Sequence, residues 1–184
     1  MKMPLTNEQK PIYLCEQIDR NRFPVMSQFH QIWEAARDGR FAPSWKELEF
    51  SSFPAKIIPY MYLIDVQQEP ARFKYRFIGT KVCELEGQDY TNRFVHDLQP
   101  RALASAAVCE FRKFAKNPKP VFFMMVANKA GHRRYLYDVY GGVRLPLSND
   151  GKTLNQIIAL AQFGHENEEL IKHFYETDSS RLMS

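Results

Sequence analysis

IIPYMYLIDVQQEPARFKYRFIGTKVCELEGQDYTN, residues 57–92, is the stretch whose reading decides the fold. Residues 60–66, YMYLIDV, are rich in the aromatic and β-branched side chains that suit a pleated strand. Residues 73–78, FKYRFI, alternate with period two. That alternation predicts a strand with Phe73, Tyr75 and Phe77 on one face and Lys74 and Arg76 on the other. The break at 67–71 carries Pro70 and suits a hairpin connection. Residues 79–87 then read as a short helix with Val82, Cys83 and Leu85 as its apolar members. Three aromatics sorted to one side need an apolar cover, and the rest of the chain must supply it.

Upstream, residues 1–22 are polar and interrupted by Pro4 and Pro11, and the type of the piece 12–18 stays open. Phe23, Met26, Phe29, Ile32, Trp33 and Ala36 recur at helical spacing, with Gln28, Gln31, Glu34 and Arg37 between them. Gly39 after Asp38 makes a C-cap for this amphipathic helix. Its stripe must bury either on its own domain or on a second copy. Residues 53–58 form a short helix with Ser51 or Ser52 as N-cap, and Pro59 ends it.

Downstream, residues 88–98 are a loop or further short helix, and residues 101–116 a longer helix burying Leu103, Ala107, Val108, Phe111 and Phe114. Asn117-Pro118 terminates it. Residues 121–127, VFFMMVA, are apolar throughout, as a strand covered on both faces would be. A hairpin at 128–131 leads to a long alternating run at 133–147, in which Gly141-Gly142 marks a bulge. Ser148-Asn149-Asp150-Gly151 is a turn before the last strand, 154–163, and a polar helix follows that frays over 178–184. The order is helix, two strands, helices, three strands. This is an α+β fold with a five-stranded antiparallel sheet, its short helices and one longer helix inserted between strands two and three. The organisation expected is an N-terminal extension and helix at 1–40, the main domain at 41–164 and a C-terminal polar helix at 165–184.

At 184 residues the chain suits one domain with extensions, and 45% hydrophobic with 25% charged residues is the balance of a globular protein. No apolar run approaches the ~18 residues that span a bilayer. No apolar segment follows Lys2 to make a secretory signal, and Cys15, Cys83 and Cys109 form no paired framework. The expected compartment is the cytoplasm. The net charge of +4 is unevenly spread: residues 111–134 hold seven cations and no carboxylate, whereas residues from 165 onward hold five carboxylates against two cations. The basic region reads as a solvated face, with nucleic acid or anionic lipid as the alternative, since no nucleic-acid motif accompanies it.

This order resembles the PAS domain family, a sensory fold with a five-stranded antiparallel sheet, and within it a mainly alphaproteobacterial subfamily of unassigned function. The resemblance is carried by Ile32-Trp33-Glu34, by Arg37-Asp38-Gly39-Arg40 with Pro43, and by the runs 58–66, 73–80, 87–91 and 145–151. It spans about 29–163, most specifically 72–91. Trp45 stands where that subfamily often has an arginine.

The resemblance implies a ligand space between the sheet and the longer helix. Lining residues would come from Tyr75, Phe77, Phe111, Phe123, Met125, Tyr135 and Tyr137. Their character suits a small, largely apolar organic ligand with one or two hydrogen bonds. Covalent flavin is disfavoured because Asn92-Arg93-Phe94 lacks the cysteine of the flavin-photoreceptor motif. Haem is disfavoured because residues 101–116 hold no histidine, and His96 reads as a polar residue near a helix end. The cofactor therefore stays unassigned. His165, Glu169 and His173 would share a face on one continuous helix; a solvated helix explains that spacing better than a zinc site. No phosphate loop or catalytic constellation is present in the motifs.

The expected function is a non-enzymatic sensory or regulatory protein, acting through a ligand, a signalling partner, or both. The alternative is a small-molecule enzyme or binding protein on a ketosteroid-isomerase-like α+β cone, which places its helices before its sheet. A homodimer is expected through Phe23, Met26, Phe29, Ile32 and Trp33, as PAS domains often pair through a helix preceding the sheet.

Overall fold

Apolar periodicity lays out the elements of this computed structural model, which describes residues 13–68, 70–127 and 138–182. In chain order they are strand β1 (Tyr13–Gln17), helix α1 (Pro24–Arg37), the single turn α2 (Trp45–Leu48), strands β2 (Met61–Gln67) and β3 (Arg72–Ile78), helices α3 (Thr80–Glu86) and α4 (Arg101–Lys116), strands β4 (Val121–Ala127), β5 (Asp138–Leu147) and β6 (Gln156–Phe163), and helix α5 (Glu168–Leu182). The strands form one antiparallel sheet in the order β1-β4-β5-β6-β2-β3. The α+β class and the five expected strands are all present. β1 adds a sixth to them, and by pairing along β4 it makes that strand an interior one. Because α3 and α4 are inserted between strands of one sheet, after β2 and β3, the chain does not have the helices-first order of the cone.

Helices cover both faces. On the outer face α1, α2 and α5 bury Met26, Phe29, Trp33, Leu48 and Leu170 against Met61, Leu63, Met124, Val143, Leu145, Ile158 and Leu160. On the inner face α3 and α4 bury Val82, Ala104, Ala107, Phe111 and Phe114 against Tyr62, Ile64, Phe73, Tyr75 and Ile157.

α1 overturns the expected dimer interface. Phe23, Met26, Phe29 and Trp33 are all buried in the chain's own core, and Ile32 packs half-buried against it. The Trp33 indole Nε1 donates to the Pro146 carbonyl at 2.7 Å, so the one polar atom of this side chain is satisfied inside. At ~1.5–3 kcal/mol for each large side chain buried, the stripe is spent within the monomer and offers no face to a second copy. α1 is therefore part of the domain's core and not an extension of it.

The register of β2 and β3 corrects a second expectation. Ile64 lies opposite Tyr75 but Leu63 lies opposite Phe77, so Arg76 is an extra residue at a β-bulge. One extra residue inverts the alternation beyond it. Phe73 and Tyr75 face α4, while Phe77 joins the α1 face and meets Phe50 edge-on at 4.7 Å, which in turn meets Trp45 edge-on at 4.9 Å.

The bulge expected at Gly141-Gly142 is absent. Both glycines pair in unbroken register with β4 and β6. They serve close approach instead. A Cβ at Gly141 would meet Leu170 Cδ2 at 2.6 Å and Met26 Cε at 2.9 Å, and one at Gly142 would meet the Leu160 carbonyl oxygen at 2.5 Å and the Phe123 ring at 2.9 Å.

Candidate functional site

β4, β5 and α4 converge on a buried cluster of aromatic rings around one cation, Arg144. Its place on β5, between Val143 and Leu145, sends the side chain to the face opposite theirs, toward α4. The guanidinium lies 4.8 Å from the Phe111 ring centre and 4.0 Å from that of Phe123, and the residue is 3% exposed. Both distances fall within cation–π range, and the dry setting strengthens the attraction.

Around this sandwich the rings continue. Phe111 meets Phe73 at 5.4 Å, Phe123 meets Tyr140 edge-on at 6.1 Å, and Tyr62 meets Tyr75 edge-on at 6.3 Å. The Tyr140 hydroxyl donates to Met125 Sδ at 2.8 Å. Burial, with a smaller push from Glu86, holds the Tyr75 hydroxyl well above the ordinary tyrosine range, so it stays a neutral donor at physiological pH.

Five of the seven expected lining residues fall within the described residues. Tyr75, Phe111, Phe123 and Met125 are buried; Tyr75 and Phe111 lie in the core between α4 and the sheet, and Phe123 and Met125 adjoin them through Arg144 and Tyr140. Phe77 is on the opposite face because of the Arg76 bulge. Tyr135 and Tyr137 lie outside the described residues, as does the expected hairpin at 128–131. Sequence reasoning missed Arg144, although a lone cation inside the apolar run VRLPL is a legible signal of a buried, aromatic-held charge.

The other candidates separate. Glu169 and His173 sit on α5 but both engage Arg22, at 2.5 Å and 3.0 Å, while His165 precedes the helix in the 3-10 turn Gly164–Glu166 and stacks on Phe163. The three do not share a helix face. His96 is solvent-facing, stacked on Phe94 and 3.6 Å from Asp97. Cys83 is half-buried and burial raises its thiol pKa; Cys109 is exposed on α4. Among the described residues no group of three or more His, Cys, Asp and Glu is placed to hold a metal ion.

Comparison with known families follows the same geometry. A PAS domain model matches residues 22–158, from the entry to α1 to the first residues of β6. The chain belongs to the PAS domain family. No curated protein matches it. Among solved structures it is similar to an RNA-binding light-oxygen-voltage receptor, at 12% identity and a TM-score of 0.47, over all of this chain and 42% of the receptor's. A helix capable of crossing a membrane is absent among the described residues.

Proposed function

We propose that this PAS protein is a non-enzymatic cytoplasmic sensor or regulator, responding to a small organic ligand on the inner face of its sheet. The observation that supports this reading is Arg144, a buried guanidinium held between Phe111 and Phe123, near the neutral hydroxyl of Tyr75 and the ring of Tyr140. Burying a charge costs stability unless it is well compensated, and a purely structural position is filled more cheaply by an apolar side chain. A ligand of the fitting class is largely apolar and carries one acidic or hydrogen-bonding group. The acidic group would take the guanidinium, and the apolar body would replace the Phe123 or Phe111 ring.

Native mass spectrometry of gently purified protein, set against its denatured mass, tests this. The expected result is an extra organic mass that is lost on denaturation and diminished in Arg144→Met and Arg144→Lys variants that still melt cooperatively. Identical native and denatured masses for wild type would refute ligand retention and leave regulation by protein contact as the function.

A further inference from the structure

From the outward face of α4 we infer that the groove between this helix and the turn Val95–Asp97 is a docking site for an acidic, partly apolar peptide segment of a partner protein. The groove has a volume of about 900 Å³. Arg101 stands at one end of its wall and Arg112 and Lys116 at the other, with Ala104 and Val108 between them.

Helical geometry aligns these residues. Positions 108 and 112 each lie within about 20° of position 101 around the helix, on either side of it, and 116 follows about one turn on. At ~1.5 Å rise per residue, Arg101 and Arg112 are about 17 Å apart along the axis.

A solvated helix ordinarily pairs its cations with acids three or four positions away, as Lys113 does with Glu110 at 2.7 Å. Arg101, Arg112 and Lys116 have no such partner among the described residues. Arg112 and Lys116 also set like charges at i,i+4, which weakens a helix. Three unpaired cations around an apolar floor match a peptide with acidic residues at both ends and a small apolar residue in the middle. In an extended peptide, at ~3.3 Å per residue, the two acidic positions are about five apart.

Charge alone would also admit single-stranded nucleic acid. That ligand is favoured by aromatic stacking platforms, however, and the groove's one ring is the His96 imidazole, already stacked on Phe94. This inference deepens the regulatory reading by naming a partner class, and the groove runs along the flank of α4 next to the face that carries Phe111 to Arg144.

The experiment is selection of a random 12-residue peptide display library on the full chain, with parallel selections on the charge-reversed R101E/R112E/K116E and the neutral R101Q/R112Q/K116Q. These are exposed positions, and unchanged melting curves establish that the variants fold. Wild type should enrich peptides with two acidic residues about five apart around an apolar one. Synthetic copies should bind roughly tenfold or more weakly to both variants. Bound peptide should also slow alkylation of the exposed Cys109, which lines the groove.

Enrichment of peptides without net negative charge, or undiminished binding to the variants, would overturn the proposal. Tighter binding of fluorescein-labelled U12 RNA than of the selected peptides would also overturn it. None of these results bears on the native mass test, so the two readings fail separately.

Discussion

Replacing Trp33 by Phe tests whether α1 belongs to the core of a single chain. Trp33 is 1% exposed, stacks with His30 at 5.8 Å between centroids and donates Nε1–H to the Pro146 carbonyl. The substitution removes that donor and leaves the carbonyl one partner short in dry surroundings, a cost of about 1–3 kcal/mol. It also removes part of the indole, and each cubic ångström left empty adds about 24 cal/mol. Together these predict a loss of roughly 2–4 kcal/mol of unfolding free energy, or about 5–15 °C in Tm for a domain of this size. Urea titration monitored by circular dichroism measures it, with the slope unchanged and the midpoint lowered. The midpoint should not move between 1 and ~50 μM protein, because an intrachain contact carries no concentration dependence. A loss below ~0.5 kcal/mol, or a midpoint that climbs with concentration, would show the stripe to be an interface between copies and the reasoning to be wrong.

Gly142→Ala should destabilise by about 1–3 kcal/mol in the same assay, because its Cβ meets the backbone oxygen of Leu160, which cannot turn aside. Arg22→Ala removes contacts to Glu169, His173 and Glu176 on one side of α5, so chymotryptic cleavage after the exposed Tyr175 should accelerate while the far-ultraviolet melt of the sheet stays in place. His30 is buried among Trp33 and Phe122, and desolvation lowers its pKa below 6.5 despite Glu34 at 3.9 Å. The unfolded chain therefore takes up the proton first, so stability should fall as pH drops below about 6.5; a His30→Phe variant that folds should show a shallower fall, and an identical pH profile would count against the burial argument.

Much of this architecture is legible because the chain's apolar periods are clean. Helical spacing from Phe23 to Ala36 sets α1, period two sets β3, and an unbroken apolar run sets β4. What periodicity does not carry is an inserted residue or a long-range partner. Arg76 looks like any outward cation of an alternating strand, and nothing local marks it as a bulge; that is why Phe77 was expected beside Tyr75 and lies across the sheet. The same limit applies to α1: a stripe states that it must be covered, but β5, the strand it packs on most, lies about a hundred residues downstream. Gly141-Gly142 reads as a break in an isolated strand and is instead where Leu170 of α5 and the Phe123 ring of the neighbouring strand crowd the backbone of β5. The lone cation in the apolar run VRLPL marks Arg144 as unusual, but the two rings that hold it, Phe111 and Phe123, are distant in sequence and no local pattern names them.

Where such a protein can meet a partner follows from what is already covered. α1 and α5 close the outer face of the sheet, and α3 and α4 close the inner one. The β3 edge, which would otherwise offer free backbone donors, is taken by the segment 92–94: Tyr75 N donates to the Arg93 carbonyl, Asn92 N to the Tyr75 carbonyl, and Lys74 bridges to Phe94. Arg72 seals it further, its guanidinium 3.9 Å over the Phe94 ring. At this end of the sheet a partner must then address helix surfaces or displace one of these covers. Displacing α1 would expose Phe29 and Trp33 at several kcal/mol each, which no ordinary interface contact repays. The outward strip of α4 asks for no such displacement. Its inner side carries Phe111 against Arg144, so one helix joins the aromatic cluster around that buried cation to the basic groove. A shift of α4 by the size of a ring would reach both sites, because interiors packed this densely move as units rather than deform continuously.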